Sequence, residues 1–313
     1  MRAVERIDRG SAALFKLYGS EAAFILKVFQ PKFRADSILR EVHVTDFLRQ
    51  NGISVPEYIS CRNGDFYFMQ NGRIAILQAF IPGQTREKGC CSKRELLDSA
   101  RLLAQIVNAL EHYPYDDLLP CEISRYGSAA RLLQAKAAYA DLMAAAHADA
   151  VHGAEICRDL QDRRVMIARV SDAGAFVNTN ALTLKRSHGD YSVMQLLYDG
   201  SEIKAVLDFV NAGEVPIAWE LIRSYSYMDC TFNAARLAAY TNEYRRYAEV
   251  SMDDLRYMPY LYLGQLLSST YGYKRYLQTG DEELLAFGRW RTEMCRYLIA
   301  NAGEVSAELV RLA

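Results

Sequence analysis

The run Ser187-His188-Gly189-Asp190-Tyr191-Ser192-Val193-Met194-Gln195, followed by Val206-Leu207-Asp208-Phe209, decides how this chain is read. It offers a carboxylate at Asp190, an amide five residues on at Gln195, and a second carboxylate at Asp208 near the end of an apolar strand. Those are the groups needed to hold a metal-bound nucleoside triphosphate beside a hydroxyl. Gln195 and Asp208 offer hard oxygen ligands of the kind Mg²⁺ takes, the ion keeping water and phosphate oxygens as its other ligands. Asp190 suits the task of accepting or orienting the proton of an attacking hydroxyl. A His-Gly-Asp triplet alone is an ordinary turn; its context gives it meaning. Here Leu196-Leu197-Tyr198 and the run Ile203 to Phe209 flank an Asp199-Gly200 turn, which reads as a hairpin with a polar group at each metal-facing end.

This pattern resembles the catalytic and metal-binding segments of small-molecule kinases in the aminoglycoside phosphotransferase and choline kinase superfamily, which share the protein-kinase fold. The resemblance implies ATP as phosphoryl donor, with GTP as the alternative, Mg²⁺ as cofactor, and a small molecule bearing a hydroxyl as acceptor. It makes Asp190 the base, His188 a scaffold for the catalytic loop, and Gln195 and Asp208 the metal ligands. The family usually has Asn where Gln195 stands. Gln keeps the amide oxygen and adds a methylene, so the metal site is slightly reshaped. That departure leaves a rival reading, a nucleotide-binding or structural relative that has lost the reaction. A protein kinase is disfavoured, since Asp208 to Pro216 holds neither Asp-Phe-Gly nor Ala-Pro-Glu.

The resemblance also demands a lysine on an early strand and a glutamate on the next helix. Ala22 to Phe29 is a β-rich run whose alternation places Ile25, Lys27 and Phe29 on one face. In the kinase arrangement Ile25 would lie under the adenine and Lys27 would reach the phosphates; the competing assignment is an exposed lysine. A Tyr18-Gly19-Ser20 turn predicts a hairpin with Leu14 to Leu17. A helix is predicted from about Ser37 to Gln50, capped by Asp36 and stopped by Asn51-Gly52. Ile38, Glu41, Val42, Thr45 and Leu48 share one arc of it, and a carboxylate on a packing face wants a partner, which Lys27 supplies for Glu41. Asn71-Gly72 joins Asp65–Met69 to Arg73–Phe80 as a second hairpin. Ile81-Pro82-Gly83 then resembles the hinge between lobes, with backbone near Gln78 to Phe80 facing the adenine edge. The loop before Leu14 carries one glycine, and Ser11 is its candidate phosphate contact.

With 313 residues, 51% of them hydrophobic, the chain is long enough for two sizeable cores. Its 37 basic and 38 acidic residues nearly cancel, which argues against nucleic acid as a partner. No signal peptide or bilayer-length apolar run is visible, so no membrane association and a cytoplasmic location are expected. Seven scattered cysteines, Cys90-Cys91 among them, fit reduced thiols. No feature sets an oligomeric state.

Beyond about Glu95 the period becomes helical, with a stripe of Leu96, Ala100, Leu103, Val107 and Leu110, then helices over roughly 127–150 and 154–170. Pro216 fits the first turn of another helix. The family commonly has an Asp three residues after that proline as a brace for the catalytic loop. Trp219 stands there and Glu220 follows, so Glu220 either takes over the brace or is a favourable charge at the helix amino terminus. Late tyrosines suit packing and an aromatic acceptor wall. Asp229, Asp253 and Asp254 are the carboxylates available to a cationic acceptor. The expected architecture is an α+β, bilobal, protein-kinase-like fold with a strand-rich lobe at 1–82 and a helical lobe at 83–313.

Overall fold

The structure is a computed structural model that describes residues 3–7, 12–172, 177–229 and 231–312. The amino-terminal part is a six-stranded antiparallel sheet built from β1 (Ala3–Ile7), β2 (Ala13–Tyr18), β3 (Ala23–Val28), β4 (Tyr58–Ile59), β5 (Phe68–Gln70) and β6 (Arg73–Ala79). Its order is β1-β2-β3-β6-β4, with β5 also on β6. Both predicted hairpins form. Gly19 N–H donates to Ala22 O at 2.8 Å to close the first, and Asn71 and Gly72 adopt φ of 50° and 72° in the second, the paired left-handed residues of a tight hairpin turn. The second hairpin's outer strand begins at Phe68 and not at Asp65; Asn63, Asp65 and Cys61 instead close a turn on one another.

Helix α1 (Ala35–Gln50) packs against this sheet. Every residue of the predicted arc is buried, from Ile38, Val42 and Leu48 to Glu41 and Thr45. Full burial of each large aliphatic on that arc contributes about 1.5–3 kcal/mol. The expected cap is corrected: Arg34 occupies the N-cap, and Asp36 lies inside the first turn, where its charge still favours the helix dipole. Ile38 packs with Phe29 and Ile76 of the sheet, whereas Val44 and Leu48 belong to the large core of the rest of the chain. Arg40 donates to the carbonyls of Asp117 and Val210, both at 3.2 Å, so α1 is fastened on two sides.

After β7 (Gln84–Thr85) come α2 (Lys93–Glu111), α3 (Ala129–Ala146) and α4 (Gly153–Asp172). Ser92 and Glu95 form a reciprocal capping box at the start of α2, and its predicted stripe is wholly buried. Strand β8 (Leu184–Ser187) leads to the decisive loop, followed by β9 (Leu196–Asp199), β10 (Glu202–Val206), β11 (Gly213–Pro216) and helix α5 (Ile217–Met228). Strand β9 pairs with β10 and β7, and β8 with β11. Helices α6 (Ala234–Arg245), α7 (Met252–Ser268), α8 (Tyr271–Thr279) and α9 (Glu282–Arg311) complete the chain. Most of the late tyrosines are core: Tyr225, Tyr240, Tyr244, Tyr262, Tyr273 and Tyr276 are buried. No described helix is long and apolar enough to cross a membrane.

Candidate active site

Strand alternation and register put Leu14, Lys16, Ile25, Lys27, Ile76 and Gln78 on one face of the sheet, because Ile25 pairs with Lys16 and Gln78, and Lys27 with Leu14 and Ile76. Lys27 Nζ reaches Glu41 Oε1 at 3.0 Å and, across a separation of 181 residues, Asp208 Oδ1 at 2.7 Å. Burial pulls the Lys27 pKa down, but Glu41 and Asp208 together outweigh it and push it up to about 12. Burial opposes ionisation of Asp208 too, and there Lys27 prevails, holding the carboxyl below its ordinary value. Glu41 is enclosed further. Tyr58 OH donates to it at 2.8 Å, yet burial still leaves its carboxyl above the ordinary value.

Strand β10 ends at Val206, short of the expected Phe209, because Asp208 turns into the left-handed region at φ 67°. For a non-glycine residue that conformation is uncommon and concentrates at functional sites. It aims the carboxylate back at the sheet instead of along the strand. Leu207 N–H donates to Gln195 O at 2.8 Å, which fixes the second motif to the first.

His188 is fully buried and makes the other connection. Its Nε2–H donates to Leu207 O at 2.8 Å, its Nδ1 accepts from Asp190 N–H at 3.3 Å, and its ring lies 4.5 Å from that of Phe209. One neutral tautomer serves both bonds, a scaffold arrangement. Gly189 has φ 74°, and a Cβ there would stand 2.1 Å from Asn211 O, so glycine alone allows this approach.

Asp190 carries two further contacts. Gln195 Nε2 lies 3.5 Å from Oδ2, which turns the amide oxygen of Gln195 away from Asp190. Oδ1 is ion-paired with Arg223 of α5, whose other terminal nitrogen donates to Tyr191 O at 3.0 Å. Burial of Arg223 is outweighed by Asp190, and its pKa rises. Glu220, one turn earlier, accepts from Tyr191 N–H at 3.2 Å, the contact a brace on this loop would make. Arg223 escaped the sequence reading, although Glu220, Arg223 and Tyr227 stand at three- and four-residue spacing on one face of α5. Lys16, over the ring of Phe80 at 3.7 Å, was also missed.

At the hinge end, Ala79 N–H donates to Glu57 O and Phe80 N–H to Ala23 O, so both donors are committed within the sheet. Ser11 lies outside the described residues. The three carboxylates expected to receive a cation are otherwise engaged. Asp254 caps α7 and accepts from Thr183 N–H, Asp229 holds Tyr225, Thr231 and Arg236, and Asp253 pairs with Arg256. A cleft of about 660 Å³ between α4 and α9 contains none of the site residues, and its Arg296 and Arg289 are neutralised by Asp159, Asp162 and Glu155.

Residues 4–250 match the model of the phosphotransferase enzyme family. The chain belongs to that family. Among solved structures it is similar to an amicoumacin kinase in complex with AMP-PNP and Ca²⁺, at 13% identity and TM-score 0.63, covering 94% of this chain and 88% of that one. It is similar to a microcompartment-associated aminopropanol kinase, at 14% identity and TM-score 0.64, over 99% and 94% of the two chains. A spectinomycin phosphotransferase in complex with ADP and spectinomycin aligns at 11% identity and TM-score 0.65, over 99% and 93%. No curated protein sequence matches. These likenesses show the α+β protein-kinase-like fold, with its strand-rich amino-terminal and helical carboxy-terminal parts.

Proposed function

We propose that this phosphotransferase moves the γ-phosphate of ATP to a hydroxyl of a small molecule, with the nucleotide between the sheet at 1–82 and the helical lobe at 83–313. The observation that carries the reading is Lys27 gathered with Glu41 and Asp208. The left-handed backbone at Asp208 aims its carboxylate at Lys27, and a cluster of charges gathered in this way suits the phosphates of a nucleotide.

In this reading Ile25 and the carbonyls around Gln78 and Phe80 meet the base, Lys27 meets the phosphates, and Ser11, outside the described residues, is a candidate phosphate contact. Glu41 orients Lys27. Asp190 Oδ1 is anchored by Arg223, which leaves Oδ2 to take the acceptor proton as the hydroxyl oxygen bonds to the γ-phosphorus and ADP leaves. Asp208 Oδ2 and the Gln195 amide oxygen are hard donors that would hold Mg²⁺, whose contribution when bound would be to neutralise phosphate charge. Arg223 is a positioning residue.

The rival, a relative that binds nucleotide without transferring phosphate, draws on Gln195 in place of asparagine. Thermal shift with ATP and GTP, with and without Mg²⁺, in wild type and Asp208→Ala tests the site. Stabilisation that needs both Mg²⁺ and Asp208 is expected. A folded wild type unmoved by either nucleotide would refute the site, and binding without ADP release across an acceptor screen would establish the rival.

A further inference from the structure

Beyond Asp190 a run of basic and aromatic side chains leads to α9. From Asp190 the contacts run to Arg223, then to Tyr227, 4.8 Å from the Arg223 guanidinium, then to Trp290 at 5.1 Å and Phe287 at 6.3 Å. The Lys88 ammonium stands over Phe287 and Trp290 at 4.8 and 4.5 Å. Arg291 closes the group from α9, its guanidinium 5.4 Å from the Phe287 ring and in electrostatic reach of the same two phenols, Tyr227 and Tyr262, that Arg223 feels.

Arg291 is 8% exposed, and no described carboxylate pairs with it. Its bonds are to neutral oxygens, Ser269 Oγ at 2.9 Å and Gln265 Oε1 at 3.4 Å, and its Nε–H has no partner. Burial and the neighbouring Arg163 both disfavour its charge. Arg163 shows what a purely structural arginine looks like here. It donates to Thr292, Tyr139 and the carbonyls of Leu266, Ser269 and Gly288, which occupy its whole guanidinium. Neither arginine has a described carboxylate partner, but Arg291 has two bonds to the five of Arg163 and is left with an unspent donor. A buried cation in that condition costs stability unless an anion joins it.

We propose that Arg291 binds an oxyanion of the acceptor, a carboxylate or a phosphate monoester, so that the molecule phosphorylated at Asp190 is an acidic hydroxy compound and not a polycation. The inference rests on the phosphotransferase reading of Asp190, to which side-chain contacts connect Arg291. The reassignment of Asp229, Asp253 and Asp254 to structural duties agrees with it. The planar fork of arginine suits either oxyanion.

Four acceptors of nearly one size test it: glycerate, glycerol 3-phosphate, glycerol and 3-amino-1,2-propanediol, each with Mg-ATP and ADP release as readout. One of the two acids is expected to give the lowest KM, and which one names the oxyanion. Arg291→Gln is expected to raise that KM about 10- to 100-fold, the worth of one charge-assisted hydrogen bond, with the loss confined to acceptor KM and not ATP KM. Arg291→Lys, which keeps charge without the fork, guards against misfolding and should fall between. Equal use of glycerol or the amine, or an acid preference that survives both substitutions, overturns the proposal. A second measurement is independent of turnover: thermal shift by malonate against chloride at matched ionic strength, with ADP present. Malonate is expected to stabilise wild type and not Arg291→Gln, and an identical response in both overturns the proposal even where no acceptor turns over. Failure of Mg-ATP binding would instead strike the phosphotransferase reading and leave the malonate result standing.

Discussion

Replacing Arg223 by methionine separates positioning from chemistry. The side chain holds Asp190 Oδ1 and Tyr191 O with two nitrogens while its plane lies near Trp219 and Tyr227, at 5.5 and 4.8 Å. Methionine preserves the packing and deletes both bonds. For a pair this enclosed, with Asp190 itself partly exposed, the net loss is about 2 kcal/mol of stability. Over 313 residues the entropy of unfolding then converts this to a fall of about 3 °C in Tm. The effect on turnover is larger, because Asp190 regains rotamer freedom and a misplaced base costs on the order of 10²-fold in rate. We expect kcat for phosphotransfer to fall by that factor while KM for ATP, whose proposed contact is Lys27, stays within about twofold. Coupled ADP-release kinetics at saturating acceptor, beside a melting curve, make the measurement. A variant with lowered Tm and unchanged kcat would show that Arg223 only supports the loop, and the positioning role would be wrong.

Lys27→Met leaves Glu41 buried with Tyr58 alone, at a cost of about 3–5 kcal/mol near neutral pH. Its carboxyl, already above the ordinary value, then favours the protonated folded state, so the variant's stability falls as pH rises through the carboxylate range. Urea melts should therefore show the gap from wild type narrowing in acid. In wild type, Lys27 has the opposite limit. With its pKa raised from 10.5 to about 12, its stabilisation is complete below the former and lost through the latter, which alkaline unfolding curves will show if the triad is intact. Gly189→Ala forces a Cβ to within 2.1 Å of Asn211 O at φ 74°. A loss of about 1–3 kcal/mol and abolished phosphotransfer are expected, and a fully active, equally stable alanine variant would contradict the close approach.

The sequence exposed those parts of the site that repeat at short range. The buried arc of α1 follows from periodicity alone, and Glu41 lands on Lys27 because a carboxylate on that arc must be neutralised. Asp36 misled because an acidic residue is favourable both at a cap and inside the first turn, and spacing does not separate the two. Asp254 could have been excluded, since Ser251 three residues before it announces a capping box. Arg223 needed a second step: Glu220 had to face the catalytic loop before its neighbour one turn on could be placed there. The left-handed turn at Asp208 had no local signal, since nothing in Val-Leu-Asp-Phe departs from an ordinary strand. Tertiary demand sets it.

The double attachment of α1 has a mechanical consequence. Arg40 ties this helix to the carbonyls of Asp117 and Val210, and Val44 and Leu48 sit in the large core, while Lys27–Glu41 and Ile38 join it to the sheet. The side facing the carboxy-terminal half has two core aliphatics and both Arg40 bonds, and the side facing the sheet has a three-residue cluster beside one ion pair. If the nucleotide cleft breathes, the softer boundary is the one that yields. The sheet then rocks over a stationary α1, and the Lys27–Glu41 separation becomes the molecule's own gauge of how far the cleft has opened.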